Sequence, residues 1–110
     1  MNHEKLRCYR QLMEVAGGLA KRMTTWPRGH GYLEDQLRRA MASAVLTLSE
    51  GNGKSSPKER KRFFEMSLGS IAEVSSCLDL AFTFSLIPAT EHEEMKSKLR
   101  ISYYQIRKLP

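Results

Sequence analysis

A chain of 110 residues with 18 Lys plus Arg against 12 Asp plus Glu has a formal charge of +6 and a pI near 9.6, and suffices for one small basic domain with a single core. Hydrophobic residues make up 41% of it, yet no apolar run approaches the roughly 20 residues that span a bilayer. The start, Met1-Asn-His-Glu-Lys-Leu-Arg7, has no apolar signal region, so a cytoplasmic protein is expected.

A first helix is predicted from about Glu4 to Thr25. Leu6, Tyr9, Met13, Ala16, Ala20 and Met23 recur at three- and four-residue steps and define its apolar face, with Leu12, Val15, Leu19 and Trp26 as a second line. Gly17-Gly18 costs about 1 kcal/mol per glycine against alanine, which a close backbone approach or a kink would explain. Trp26-Pro27 and Gly29-His-Gly31 end the helix and make a turn. A second helix, about Tyr32 to Glu50, turns Leu33, Leu37, Ala40, Ala44 and Leu48 inward, widened by Met41 and Val45. Gly51 and Gly53 suit left-handed backbone at its end.

The third helix carries the clearest start signal: Ser56 at the N-cap, Pro57 at the first helical position and Glu59 three residues after the cap. It is expected to reach Leu86. Phe64, Leu68, Ile71, Leu78 and Phe82 form one stripe; Phe63, Met66, Val74, Cys77, Ala81 and Phe84 form another. Pro88 stops it. Thr90-Glu-His-Glu93 reads as a second capping box, and Met95, Leu99, Tyr103 and Ile106 define a fourth helix over about 91–109. No strand signal or repeat competes, so the expectation is an all-α fold, one antiparallel up-down-up-down four-helix bundle over residues 1–110. Two apolar stripes on the first and third helices fit either a wide core face or surplus surface that closes a subunit interface.

Nothing in the chain is arranged for catalysis. Cys8 and Cys77 lie in helical patterns without metal spacing and read as reduced, buried thiols. His3, His30 and His92 have no ligand spacing on one helix. Glu50 and Glu73 are candidates to meet in space but have no nucleophile or metal set beside them. Gly51-Asn-Gly-Lys54 lacks the spacing and preceding strand of a phosphate loop. A non-enzyme with no cofactor and no metal is expected.

Two other groups stand out. Gln36, Arg39, Ser43, Thr47 and Glu50 form one polar line down the second helix: either a solvated face or a hydrogen-bonded seam, with Arg39 forked onto Glu50 or onto Glu73 of the next helix. Lys54, Lys58, Arg60, Lys61 and Arg62 form a basic collar around the third helix's start, whose unpaired amides already favour anions. Arg38, Arg100, Arg107 and Lys108 extend that patch if the bundle folds this way, and no acid follows Glu94. Tyr103 and Tyr104 are the nearest aromatics. Contact is therefore expected mainly with phosphate, preferring shape over sequence.

Gln36-Leu-Arg-Arg-Ala40, Ser43, Glu50-Gly51, Arg60, Phe63, Gly69-Ser70 and Glu73 resemble the pattern of the small four-helix-bundle family of 23S ribosomal RNA intervening-sequence proteins. Thr47 stands where that family has asparagine, and Ala44-Val45 replaces its Ile-Pro. The resemblance implies a five-membered ring of bundles with a link to RNA. Related bundles are accessory proteins of diversity-generating retroelements, where they partner a reverse transcriptase and its RNA. The resulting expectation is a non-catalytic homo-oligomer, pentameric by the resemblance, that binds structured RNA or ribonucleoprotein. An accessory subunit of a retroelement reverse transcriptase is one alternative. A protein-interaction scaffold without nucleic-acid binding is the other.

Overall fold

Apolar residues at helical spacing, broken by Trp26-Pro27 and Pro88, produce four helices. The computed structural model describes residues 1–110: a 3-10 turn (Asn2–Lys5), then α1 (Arg7–Met23), α2 (Gly31–Gly53), α3 (Pro57–Thr83) and α4 (Ala89–Arg107). Successive helices run antiparallel in an elongated bundle of 45 × 23 × 21 Å. Cross-helix bonds fix the register. Between α1 and α4, Ser102 Oγ donates to Cys8 O (3.2 Å) near one end, and Arg22 forks onto Glu91 near the other. Between α2 and α3, Ser67 Oγ donates to Ala44 O (2.7 Å) and Ser70 Oγ to Ser43 Oγ (2.8 Å). One core of buried apolar side chains, drawn from all four helices, runs the length of the bundle. No helix is long and apolar enough to cross a membrane.

The inward faces of α1 and α3 differ from those expected. On α1 the buried residues are Cys8, Leu12, Val15, Leu19 and Met23, so the anticipated second line is the core line. Met13 and Ala20 are exposed, and Tyr9 and Ala16 are half-buried. On α3 the core face falls between the two stripes, taking Phe64, Ile71 and Leu78 from one and Val74, Cys77 and Ala81 from the other. Met66, Phe82 and Phe84 stay exposed. An apolar surface wider than one stripe leaves the choice of line to the neighbouring helices.

Four helix ends also depart from expectation. α1 starts at Arg7 and not at Glu4, because extended Leu6 separates it from the 3-10 turn. Gly51 and Gly53 are not left-handed; α2 continues through both and the chain leaves through extended Lys54. A Cβ on Gly51 would stand 2.8 Å from two Phe64 ring carbons, so this glycine serves the close approach of α2 to α3. Left-handed backbone occurs at Gly29 (φ 100°) and Ser85 (φ 61°) instead. α3 ends at Thr83, short of Leu86, in a Schellman motif. Leu86 N–H donates to Ala81 O (2.8 Å) and Ser85 N–H to Phe82 O (3.0 Å), which folds Leu86 and Ile87 into the core. α4 begins at Ala89 behind Pro88 with no side-chain cap, so Thr90 is already helical and its predicted capping box is not formed. At α3 the expected cap is present: Ser56 Oγ accepts from Glu59 N–H at 3.4 Å.

Candidate nucleic-acid interface

Antiparallel topology gathers the start of α1, the end of α2, the start of α3 and the end of α4 at one pole of the bundle. Lys54, Lys58, Arg60, Lys61, Arg62, Arg107 and Lys108 stand there together, and the fold adds Lys5, Arg7 and Arg10. Those three lie far from the collar in sequence; only the up-down-up-down topology itself points to them. Four acids accompany these ten cations: Glu4, Glu50, Glu59 and Glu65. The opposite pole balances seven of each sign, with Lys21, Arg22, Arg28, Arg38, Arg39, Lys96 and Lys98 among Glu34, Asp35, Glu73, Asp79, Glu91, Glu93 and Glu94. The surplus charge of the molecule thus sits at one end.

The members of the collar are not equivalent. Arg60 Nη1 donates to the carbonyls of Gly51 (3.2 Å), Asn52 (2.9 Å) and Lys54 (3.1 Å), and Nε donates to Pro110 O (2.9 Å). Its guanidinium also lies over the Phe64 ring at 5.3 Å. A helix leaves its last carbonyls without partners, and Arg60 closes that end of α2. This geometry engages it inside the fold. Lys54 and Lys61 face Glu59 (3.9 Å) and Glu65 (4.0 Å), both long, exposed pairs. Lys5, Arg7, Lys58, Arg62, Arg107 and Lys108 have no carboxylate within 4.0 Å. Lys54 and Arg62 flank the Phe63 ring at 5.2 and 5.4 Å.

Arg38 is not part of this pole. It lies sixteen residues before Lys54, about 24 Å along α2, bonded to Glu34 at 3.1 Å. Arg100 stands on α4, about 10 Å before Arg107, beside Tyr103 and Tyr104.

The polar line of α2 divides as well. Gln36 Nε2 donates to Glu73, Ser43 receives Ser70, and Thr47 Oγ1 donates to Ser43 O (2.5 Å) within its own helix. Threonine can therefore replace an amide here without stranding a buried polar group. Arg39 forks onto neither Glu50 nor Glu73; it touches only Gln36 Oε1 at 3.4 Å. Glu50, one turn from the end of α2, stands about 20 Å from Gln36 and its partner Glu73, so the two carboxylates do not meet. Ser67 and Ser102, both fully buried, bond carbonyls of facing helices; as isolated serines they gave no signal in the sequence.

Beside the seam, α1 and α2 leave an apolar groove with a hollow of about 320 Å³, lined by Met13, Ala16, Ala20, Met41 and Leu46, with Arg38 its one charged side chain. Leu46 is 60% and Met13 46% exposed.

Other titratable groups serve the fold. Burial pushes both thiols up, at Cys8 against backbone hydrogen bonds and at Cys77 with help from the Glu73 charge. Both are free. At the balanced pole Asp79 receives Lys96 Nζ at 2.9 and 3.0 Å and lies 2.8 Å from His92 Nε2. The lysine hydrogen bond first, then His92, holds the Asp79 carboxyl below its usual range. His92 stacks on Phe82 with ring centroids 4.5 Å apart. No three His, Cys, Asp or Glu side chains are placed to hold a metal ion.

Over residues 4–107 the chain matches the model of a protein family described as "23S rRNA-intervening sequence protein". A search of curated proteins finds no match.

Proposed function

The chain belongs to the 23S rRNA-intervening sequence protein family, and on that premise we propose a non-catalytic, self-associating bundle that binds structured RNA or ribonucleoprotein through phosphate contacts. The observation that carries the reading is charge segregation, ten cations to four acids at one pole against an even balance at the other. Unpaired lysines and arginines at a protruding end focus an attractive potential on a polyanion, whereas cations spread among carboxylates would not. Lys58, Arg62, Arg107 and Lys108 are the phosphate ligands in this reading, with Lys5 and Arg7 beside them. Lys54 and Lys61 join after releasing their exposed pairs, which are worth little. Arg60 positions the collar without touching RNA.

Self-association follows from the α1–α2 groove. Exposed Met13 and Leu46 beside Met41 form an apolar face that a second copy of the chain would cover. A ring built this way, five-membered by the family resemblance, would present several basic poles and multiply weak contacts through avidity.

Light scattering and a salt-titrated RNA shift assay test both halves. The expected particle is a multiple of 12.6 kDa. Its RNA affinity should fall steeply with salt, log K losing about 0.9 per decade for each duplex phosphate neutralised. A 12.6 kDa particle overturns the assembly. Affinity that stays flat from low to high salt overturns the phosphate reading and leaves a protein-interaction scaffold.

A further inference from the structure

We infer that the groove between α3 and α4 is a second contact for RNA, a stacking site for an unpaired base, with Tyr104 as its platform and Arg100 as its cation. The inference rests on the RNA reading above and adds a ligand class to it, because phosphate contact alone needs no aromatic side chain. Tyr103 and Tyr104 meet edge to face, 5.7 Å between ring centroids, above a hollow of about 270 Å³ floored by Ile71 and Leu99. Tyr104 is 57% exposed, so its ring is open to solvent and not used in the core. Arg100 forms the rim, no acidic side chain lines the hollow, and no carboxylate lies within 4.0 Å of its guanidinium. An apolar floor, an open aromatic ring and a free guanidinium suit a planar base with a phosphate beside it.

Charge continuity selects a nucleic-acid strand as the occupant. About 10 Å further along α4 the same groove opens into a hollow of about 500 Å³ that holds Arg107 and Lys61, already part of the basic pole. Glu65 is the one acidic side chain there, 4.0 Å from Lys61. A strand lying in the groove would pass from cations at the pole, over the tyrosines, to Arg100. The balanced pole provides the contrast: its hollow has Trp26, Phe82 and Phe84, but it lies among equal numbers of acids and bases.

Fluorescence anisotropy on the full chain tests this with a short oligoadenylate, an abasic strand of the same length and charge, and an RNA duplex. The wild type should prefer oligoadenylate to the abasic strand by about tenfold. Tyr104→Ala should abolish that preference and Tyr104→Phe should keep it, while the salt slope and duplex affinity stay unchanged in both. Arg100→Gln should instead lower the salt slope by about one phosphate. Circular dichroism melting confirms that each variant is folded; exposed Tyr104 should tolerate the changes. Equal wild-type binding of abasic and adenylate strands, or a preference that survives Tyr104→Ala, overturns the stacking site and leaves the phosphate reading in place. No binding of any strand by the wild type overturns both.

Discussion

The two poles of the bundle solve one physical problem with different partners. Each must tie helix ends together, and each uses a cation to do it. At the balanced pole Arg22 pairs with Glu91 and Lys96 with Asp79, so each of these braces cancels a charge. At the basic pole Arg60 braces α2 through the carbonyls of Gly51, Asn52 and Lys54 and donates to Pro110 O, with no Asp or Glu side chain beside it. Bracing with carbonyls satisfies the helix end without placing a carboxylate among the surrounding cations. The comparison separates charges that hold the fold from charges that remain available to a ligand.

The largest effect expected is at Arg60. Arg60→Ala should lower unfolding stability by about 2–3 kcal/mol, since it takes the charged donor from the carbonyls of Asn52 and Lys54, while Gly51 O keeps only the Lys54 N–H. Lys58→Gln with Arg62→Gln should leave the urea midpoint unchanged and lower the RNA salt slope by about two phosphates. Equal stability losses in the two variants would erase the distinction between brace and ligand.

Gly51→Ala comes next. Alanine ordinarily favours a helix over glycine by about 1 kcal/mol, but a Cβ 2.8 Å from Phe64 should reverse the sign and cost about 1–2 kcal/mol in denaturant unfolding. Gly53→Ala, which meets open space, should be neutral or stabilising.

Smaller effects belong to the balanced pole. Ser85→Gly should raise stability by about 0.5–1 kcal/mol by relieving left-handed backbone at φ 61°. Asp79→Asn should cost less than about 1 kcal/mol at neutral pH, because the carboxylate is 55% exposed and solvent screens its pairs. Its folded pKa is depressed, so its contribution is present above the unfolded value and is lost as pH falls through the folded one. Below about pH 4 the gap between wild type and variant should close, which thermal melts at stepped pH would read.

Much of the architecture was legible because its signals are local. Pro57 behind Ser56 starts α3 whatever surrounds it, and Pro88 marks the break before α4, although α3 itself ends earlier, at Thr83. Glycine was ambiguous: Gly51 carried the same letter for close packing that it would carry for a left-handed turn, while the left-handed turn fell to Ser85. The collar was legible as a charge run, yet its division between Arg60 and its neighbours was not. A guanidinium's partner depends on which carbonyls the returning chain brings within about 3 Å, and here those come from the end of the preceding helix and from Pro110.

The amino-acid order alone determined that there would be four amphipathic helices, where prolines would interrupt the pattern after the first and third and open the third, and that the molecule would be cationic, since spacing and ionisation are properties of the chain. Which of two apolar lines faces inward, and which cations gather at one pole, only the tertiary structure decided. Both depend on surfaces far apart in sequence that touch only after the helices have packed antiparallel.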